Sequence, residues 1–108
     1  MTRVAMGDFN AMIAIGINDV LASSRVDVVH PSTTGMVRYL HDCLPSLVIL
    51  DSSASGAADV VRQIVTEHPG IQVITCSAES TTLTVYPPFH AGESFECSLS
   101  DLPSQISG

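Results

Sequence analysis

The chain has 108 residues, 45% of them hydrophobic and 14% charged, with a formal net charge of −7. That is enough apolar sequence for one domain with its own core, without disulfide or metal staples, and it excludes a disordered chain. All four basic residues are arginines (Arg3, Arg25, Arg38, Arg62), so lysine-dependent Schiff-base and Walker-type phosphate chemistry is excluded, and the acidic surface repels nucleic acid and anionic lipid.

In chain order, Arg3 to Met6 reads as a short buried strand ending at Gly7-Asp8. From Phe9 to Ser24, Ile13, Ile17, Val20 and Leu21 recur at helical spacing. Arg25 to His30 is β-branched and strand-like. Pro31-Ser32 opens a second helix, with Ser32 or Thr33 as N-cap, an apolar stripe of Met36, Val37, Leu40 and Leu44, and Pro45 as its end. Leu47 to Asp51 is a continuous apolar run closed by an acid, the pattern of a central parallel strand covered on both faces. A small polar loop, Ser52 to Gly56, leads to a third helix with Val60, Val61, Ile64, Val65 and His68 on one face. Pro69-Gly70 stops that helix, and Ile71 to Cys76 is another buried strand.

This alternation of strand and helix predicts an α/β fold with a parallel sheet and right-handed crossovers. Ligands of such sheets bind beyond the carboxyl ends of the strands. Asp8, Asp51 and Ser77 fall at three such ends. After Ala78 the rhythm breaks. Thr81 to Tyr86 alternates like a strand, Pro87-Pro88 forbids a helix through it, and the tail from Ser98 holds at most one short helix.

These residues resemble the receiver domain of bacterial response regulators. Leu44 to Asp51 is similar to that family's strand running into its phospho-accepting aspartate. Glu67 to Ala78 is similar to its next helix end, strand and Ser/Thr-Ala, and Arg3 to Asp8 to its first strand and acidic pair. Ala91-Gly92 and Phe95 to Leu99 resemble the segment that carries a Lys-Pro. The resemblance is continuous to Ala78 and thin beyond it. It implies a doubly wound parallel five-stranded sheet of order 2-1-3-4-5, the flavodoxin- or receiver-like arrangement, here with the fourth helix lost or replaced by extended structure. It further implies a signalling switch. Asp51 would take a phosphoryl group from a sensor kinase, Asp8 and Asp51 would hold Mg²⁺, and Ser77 with a lysine would bind the phosphoryl oxygens.

The sequence departs from that pattern in four places. Phe9 replaces the second acid, the loop after Asp51 is about two residues short, Cys97 occupies the lysine position, and a proline-containing stretch replaces the fourth helix. These departures favour a pseudo-receiver that works by protein contact or dimerisation in two-component signalling, a phosphorelay or transcription regulation, with no enzymatic activity and no cofactor of its own. Two alternatives stand beside it. One is a working phosphoacceptor on Asp51; the other is a domain similar to anti-sigma factor antagonists, to whose Asp-Ser-Ser-Gly loop Asp51 to Gly56 bears a loose likeness. Topology separates the last, because a receiver places its first strand beside its third in an all-parallel centre.

Each residue also has an ordinary reading. Asp51 is a helix cap, Asp8 an N-cap, and Ser77 a partner for a loop amide. His41-Asp42-Cys43 and His90 with Cys97 hold metal-ligand residue types at spacings that match no zinc signature, and are read as surface or half-buried side chains. Cys76 is expected to be an inert core residue. The stretch Thr81 to His90, without a covering helix, is expected to expose Leu83, Val85, Tyr86 and Phe89 and to form a homodimer or partner interface. An odd number of cysteines with no secretion signal points to a reduced, cytosolic protein. A last helix cut short and an output domain outside this sequence are further expectations.

Overall fold

The computed structural model describes residues 2–7, 11–22, 26–31, 35–42, 44–54, 56–76, 82–89, 93–98 and 101, with side chains left out of account at 2 and 11–14. Chain order is β1 (Thr2–Met6), α1 (Ala11–Ala22), β2 (Val26–Val29), α2 (Met36–Asp42), β3 (Leu47–Asp51), α3 (Ala57–Glu67), β4 (Gln72–Cys76), β5 (Thr82–Tyr86) and β6 (Phe95–Ser98). One six-stranded sheet joins them in the order β2-β1-β3-β4-β5-β6.

Strands β1 to β4 run parallel, because a helix returns the chain between each successive pair. β3 lies at their centre, and all five of its residues are buried. A strand covered on both faces has no polar side to show, which is why Leu47 to Leu50 carries no alternation. The pleat sends Leu47 and Ile49 to one face and Val48 and Leu50 to the other. The first face packs Ile17 and Leu21 of α1 onto Val4, Met6, Ile74, Leu83 and Val85. The second packs Met36 and Leu40 of α2, and Val60, Val61 and Ile64 of α3, onto Ala5, Val48, Leu50 and Val73. Helices on both faces make the sheet doubly wound, as expected from the sequence.

The structure corrects the expected sheet. It has six strands rather than five, and β5 and β6 are antiparallel: β5 to β4, and β6 to β5. Only five residues, 77–81, separate β4 from β5, whereas a parallel return needs a crossover of about a dozen. The chain therefore turns straight back. β5 takes the place beside β4, and extended structure follows β4 where a fourth helix would begin.

Two smaller corrections concern the ends of helices. Leu44 does not belong to the α2 stripe: the helix ends at Asp42, and Leu44 is 72% exposed beyond it. His68 is the C-cap of α3 rather than a residue of its apolar face. The expected N-caps Ser32 and Thr33 lie outside the described residues.

Candidate functional site

The end of β3 is where the parallel sheet presents chemistry. Asp51 sits there, on the same face as Leu47 and Ile49, and is only 8% exposed. Its backbone carbonyl accepts a hydrogen bond from Ala54 N–H at 3.0 Å, and Ser52 N–H donates to the Cys76 carbonyl at 2.8 Å. The first bond closes a turn directly after the strand, and the second continues the pairing of β3 with β4. The side chain closes the same turn: Oδ1 of Asp51 accepts from Ser53 N–H at 2.9 Å and from Ser53 Oγ–H at 2.5 Å.

That is an Asx-type turn, in which a carboxylate satisfies the amide two residues on. The helix-cap expectation for Asp51 is corrected accordingly. The carboxylate holds its own loop, while the N-cap of α3 is Gly56, which makes no side-chain cap bond and sits at φ 80°, in the left-handed region. Ser53 is the residue that sequence reasoning missed. The signal was present as Asp51-Ser52-Ser53, an acid two residues before a hydroxyl in a turn.

Asp51 pairs in register with Cys76 of β4. Burial first, and then the charge on Asp51, push the Cys76 thiol up to about 12. Cys76 is therefore a protonated core residue at neutral pH, as expected. Leu83 of β5 pairs with Cys97 of β6. Continued along the sheet, this row places Cys97 three strands from Asp51, roughly 14 Å at the usual strand spacing. The antiparallel β5 has moved the segment of the expected lysine one strand further out. Burial and then Asp101 raise the Cys97 thiol as well, so it offers no charge to an anion.

Two of the arginines are paired with other acids. Arg3 pairs with Asp27 at 3.3 Å near the starts of the strands, and Arg62 pairs with Asp59 at 3.6 Å on the outside of α3. Both pairs are solvent-exposed and contribute little stability.

Asp8 and Ser77, the other two expected site residues, lie outside the described residues, as do Thr81 and His90. The resemblance implies Mg²⁺, a hard cation that takes six oxygens in near-ideal octahedral geometry. Oδ1 of Asp51 is already engaged by Ser53, and no group of three or more His, Cys, Asp or Glu among the described residues could enclose a metal ion. The described residues do not fit a tight magnesium site.

The expected interface residues divide. Leu83 and Val85 are 2% and 0% exposed, so they are core and not surface. Their side chains belong to the core on the sheet face that Ile17 and Leu21 of α1 cover, and β6 pairs along β5 and takes the edge for itself. Tyr86 is half-buried and Phe89 is 77% exposed. Phe89 takes φ 61°, in the left-handed region that a bulky side chain disfavours, and its N–H donates to the Pro69 carbonyl at 2.7 Å. Between Tyr86 and α3 runs an apolar groove of about 650 Å³, lined by Ala58, Val61, Arg62, Val65, Thr66 and Pro69.

Solved structures give the comparison. A chain of the crystal structure of the histidine kinase ThkA in complex with the response regulator protein TrrA matches over 74% of this chain and 72% of its own, at a TM-score of 0.63 and 19% identity. The likeness is one of fold. No family model and no curated relative matches the sequence. Among the described residues, no helix is long and apolar enough to cross a membrane. β1 pairs with β3 in an all-parallel centre, the placement that separates a receiver-like sheet from that of an anti-sigma factor antagonist.

Proposed function

We propose that this protein is a pseudo-receiver: a signalling module of two-component type that acts by contact with other proteins and not by Mg²⁺-dependent phosphorylation of Asp51. The observation that carries the proposal is the state of Asp51. It ends the central parallel strand, where a receiver-like fold keeps its phosphoacceptor, yet its Oδ1 is held by both donors of Ser53 and the chain contains no ammonium side chain. Transfer to a carboxylate needs cations to neutralise the phosphoryl charge. The ammonium is missing from the whole chain, and Ser53 already holds one of the two carboxylate oxygens of Asp51.

The matched fold comes from a complex of a histidine kinase with a response regulator. A sensor kinase or another signalling protein is accordingly the partner class proposed here, and a homodimer is the second form of the same contact. Tyr86, Phe89 and the groove beside α3 are the surface proposed for it, replacing the buried Leu83 and Val85. The protein is proposed to catalyse nothing itself and to work in the cytoplasm.

Calorimetric titration with Mg²⁺ tests the proposal. The expected result is no saturable binding into the millimolar range. Saturable one-to-one binding that disappears in Asp51→Ala overturns it.

A further inference from the structure

A second constellation lies at the opposite rim of the sheet, where β4 begins. His41 occupies the last turn of α2, and His68 caps the C-terminus of α3. Nothing in the sequence brings them together, since twenty-six positions separate 41 from 68. The packing of α2 and α3 on one sheet face does so. The two imidazole rings meet edge to face, with centroids 5.7 Å apart and planes at 70°. His41 is exposed, and His68 is half-buried.

His68 is fixed through its backbone. Its N–H donates to the Ile64 carbonyl at 2.7 Å, and its carbonyl accepts from Ile71 N–H at 3.0 Å. Its side chain is less well provided for: Nε2 is buried and has no hydrogen-bond partner among the described residues. A buried ring nitrogen without a partner costs stability unless something binds it.

We infer that His41 and His68 form a two-imidazole site for a divalent transition metal ion of the zinc class. Imidazole nitrogen is the natural ligand of that class. Two imidazoles bound tetrahedrally to one zinc, each nitrogen about 2 Å from the ion, hold their ring centres roughly 5–6 Å apart. The observed separation of 5.7 Å falls in that range. Binding would satisfy the orphaned Nε2 of His68. His41, at the surface, has the freedom to turn toward the ion. His68 also lines a groove of about 370 Å³ with Leu44, Pro45, Ser46, Gly70 and Ile71.

No third His, Cys, Asp or Glu among the described residues joins the two imidazoles. An ion here would bridge the end of α2 to the end of α3 and fix one helix against the other. The site is remote from Asp51 and does not depend on the reading of that residue.

Titration of the full chain with zinc chloride by calorimetry, in excess Mg²⁺ to occupy oxygen sites, tests the inference. The expected result is one zinc per chain, with affinity reduced at least tenfold in His41→Gln and in His68→Gln and unchanged in Cys43→Ser. Because His41 is exposed, its variant keeps the fold even where the His68 variant does not; circular dichroism of each checks this. Absence of binding in the unaltered chain, undiminished binding in His41→Gln, or loss of binding in Cys43→Ser each overturns the inference.

Discussion

Asp51 is held by the two donors of Ser53, and only one of these is a side chain. In Ser53→Ala the amide remains and the hydroxyl is lost, leaving a buried carboxylate one bond poorer. A hydrogen bond to a charged acceptor stabilises by about 1.5–3 kcal/mol, so the partly buried variant is expected to lose roughly 1–2 kcal/mol in urea unfolding. A loss near zero would mean that the hydroxyl does not hold the carboxylate. Cys76 makes a pH prediction. Its folded thiol ionises near 12 and its unfolded thiol near the ordinary 9.0, so above pH 9 the unfolded state gives up its proton first. This contribution is complete below pH 9 and declines as pH rises toward 12, by at most about 1.4 kcal/mol per pH unit. Thermal unfolding between pH 9 and pH 11 should fall more steeply for the unaltered chain than for Cys76→Ala. Equal slopes would contradict the burial of the thiol.

Element by element, legibility followed the strength of the pattern. β3 and β4 are continuous apolar runs, and α3 presents an apolar face, so all three could be placed from sequence to within a residue or two. The direction of β5 is not written in its alternation, since parallel and antiparallel strands alternate alike. It is written in the connection, because five residues cannot carry a crossover helix. β6 is four residues long and mostly exposed, too weak a pattern to announce a strand. Its presence decides the fate of β5. Val85→Ala, in a side chain with no exposure, is expected to cost about 2–4 kcal/mol. Phe89→Asn removes an exposed ring from a left-handed backbone position that asparagine tolerates, and is expected to leave stability unchanged or to raise it by up to about 1 kcal/mol. Chemical denaturation of the two variants separates them. Reversed signs would place the surface at Val85 and the core at Phe89.

For the molecule as a whole, the sequence disclosed the layered architecture and the rim at which chemistry belongs. Asp51 was legible because an acid closing a central strand has one place to be in a doubly wound sheet. The separation of Cys97 from it was not, because an added strand shifts everything beyond it by one strand spacing and leaves no local trace. The pairing of His41 with His68 was hidden for the same reason: it arises from two helices lying side by side, not from spacing along the chain. A net charge of −7 without lysine is a property of the entire chain, and it bears directly on phosphoryl chemistry. An anion transferred to Asp51 would enter an acidic molecule in which the Arg3 and Arg62 side chains are paired elsewhere. The most direct measurement is the intact mass of the protein after incubation with acetyl phosphate and Mg²⁺, beside Asp51→Ala. The account predicts the same unmodified mass for both; a phosphoryl adduct on the unaltered chain that is missing from Asp51→Ala would contradict it and make the protein a working phosphoswitch.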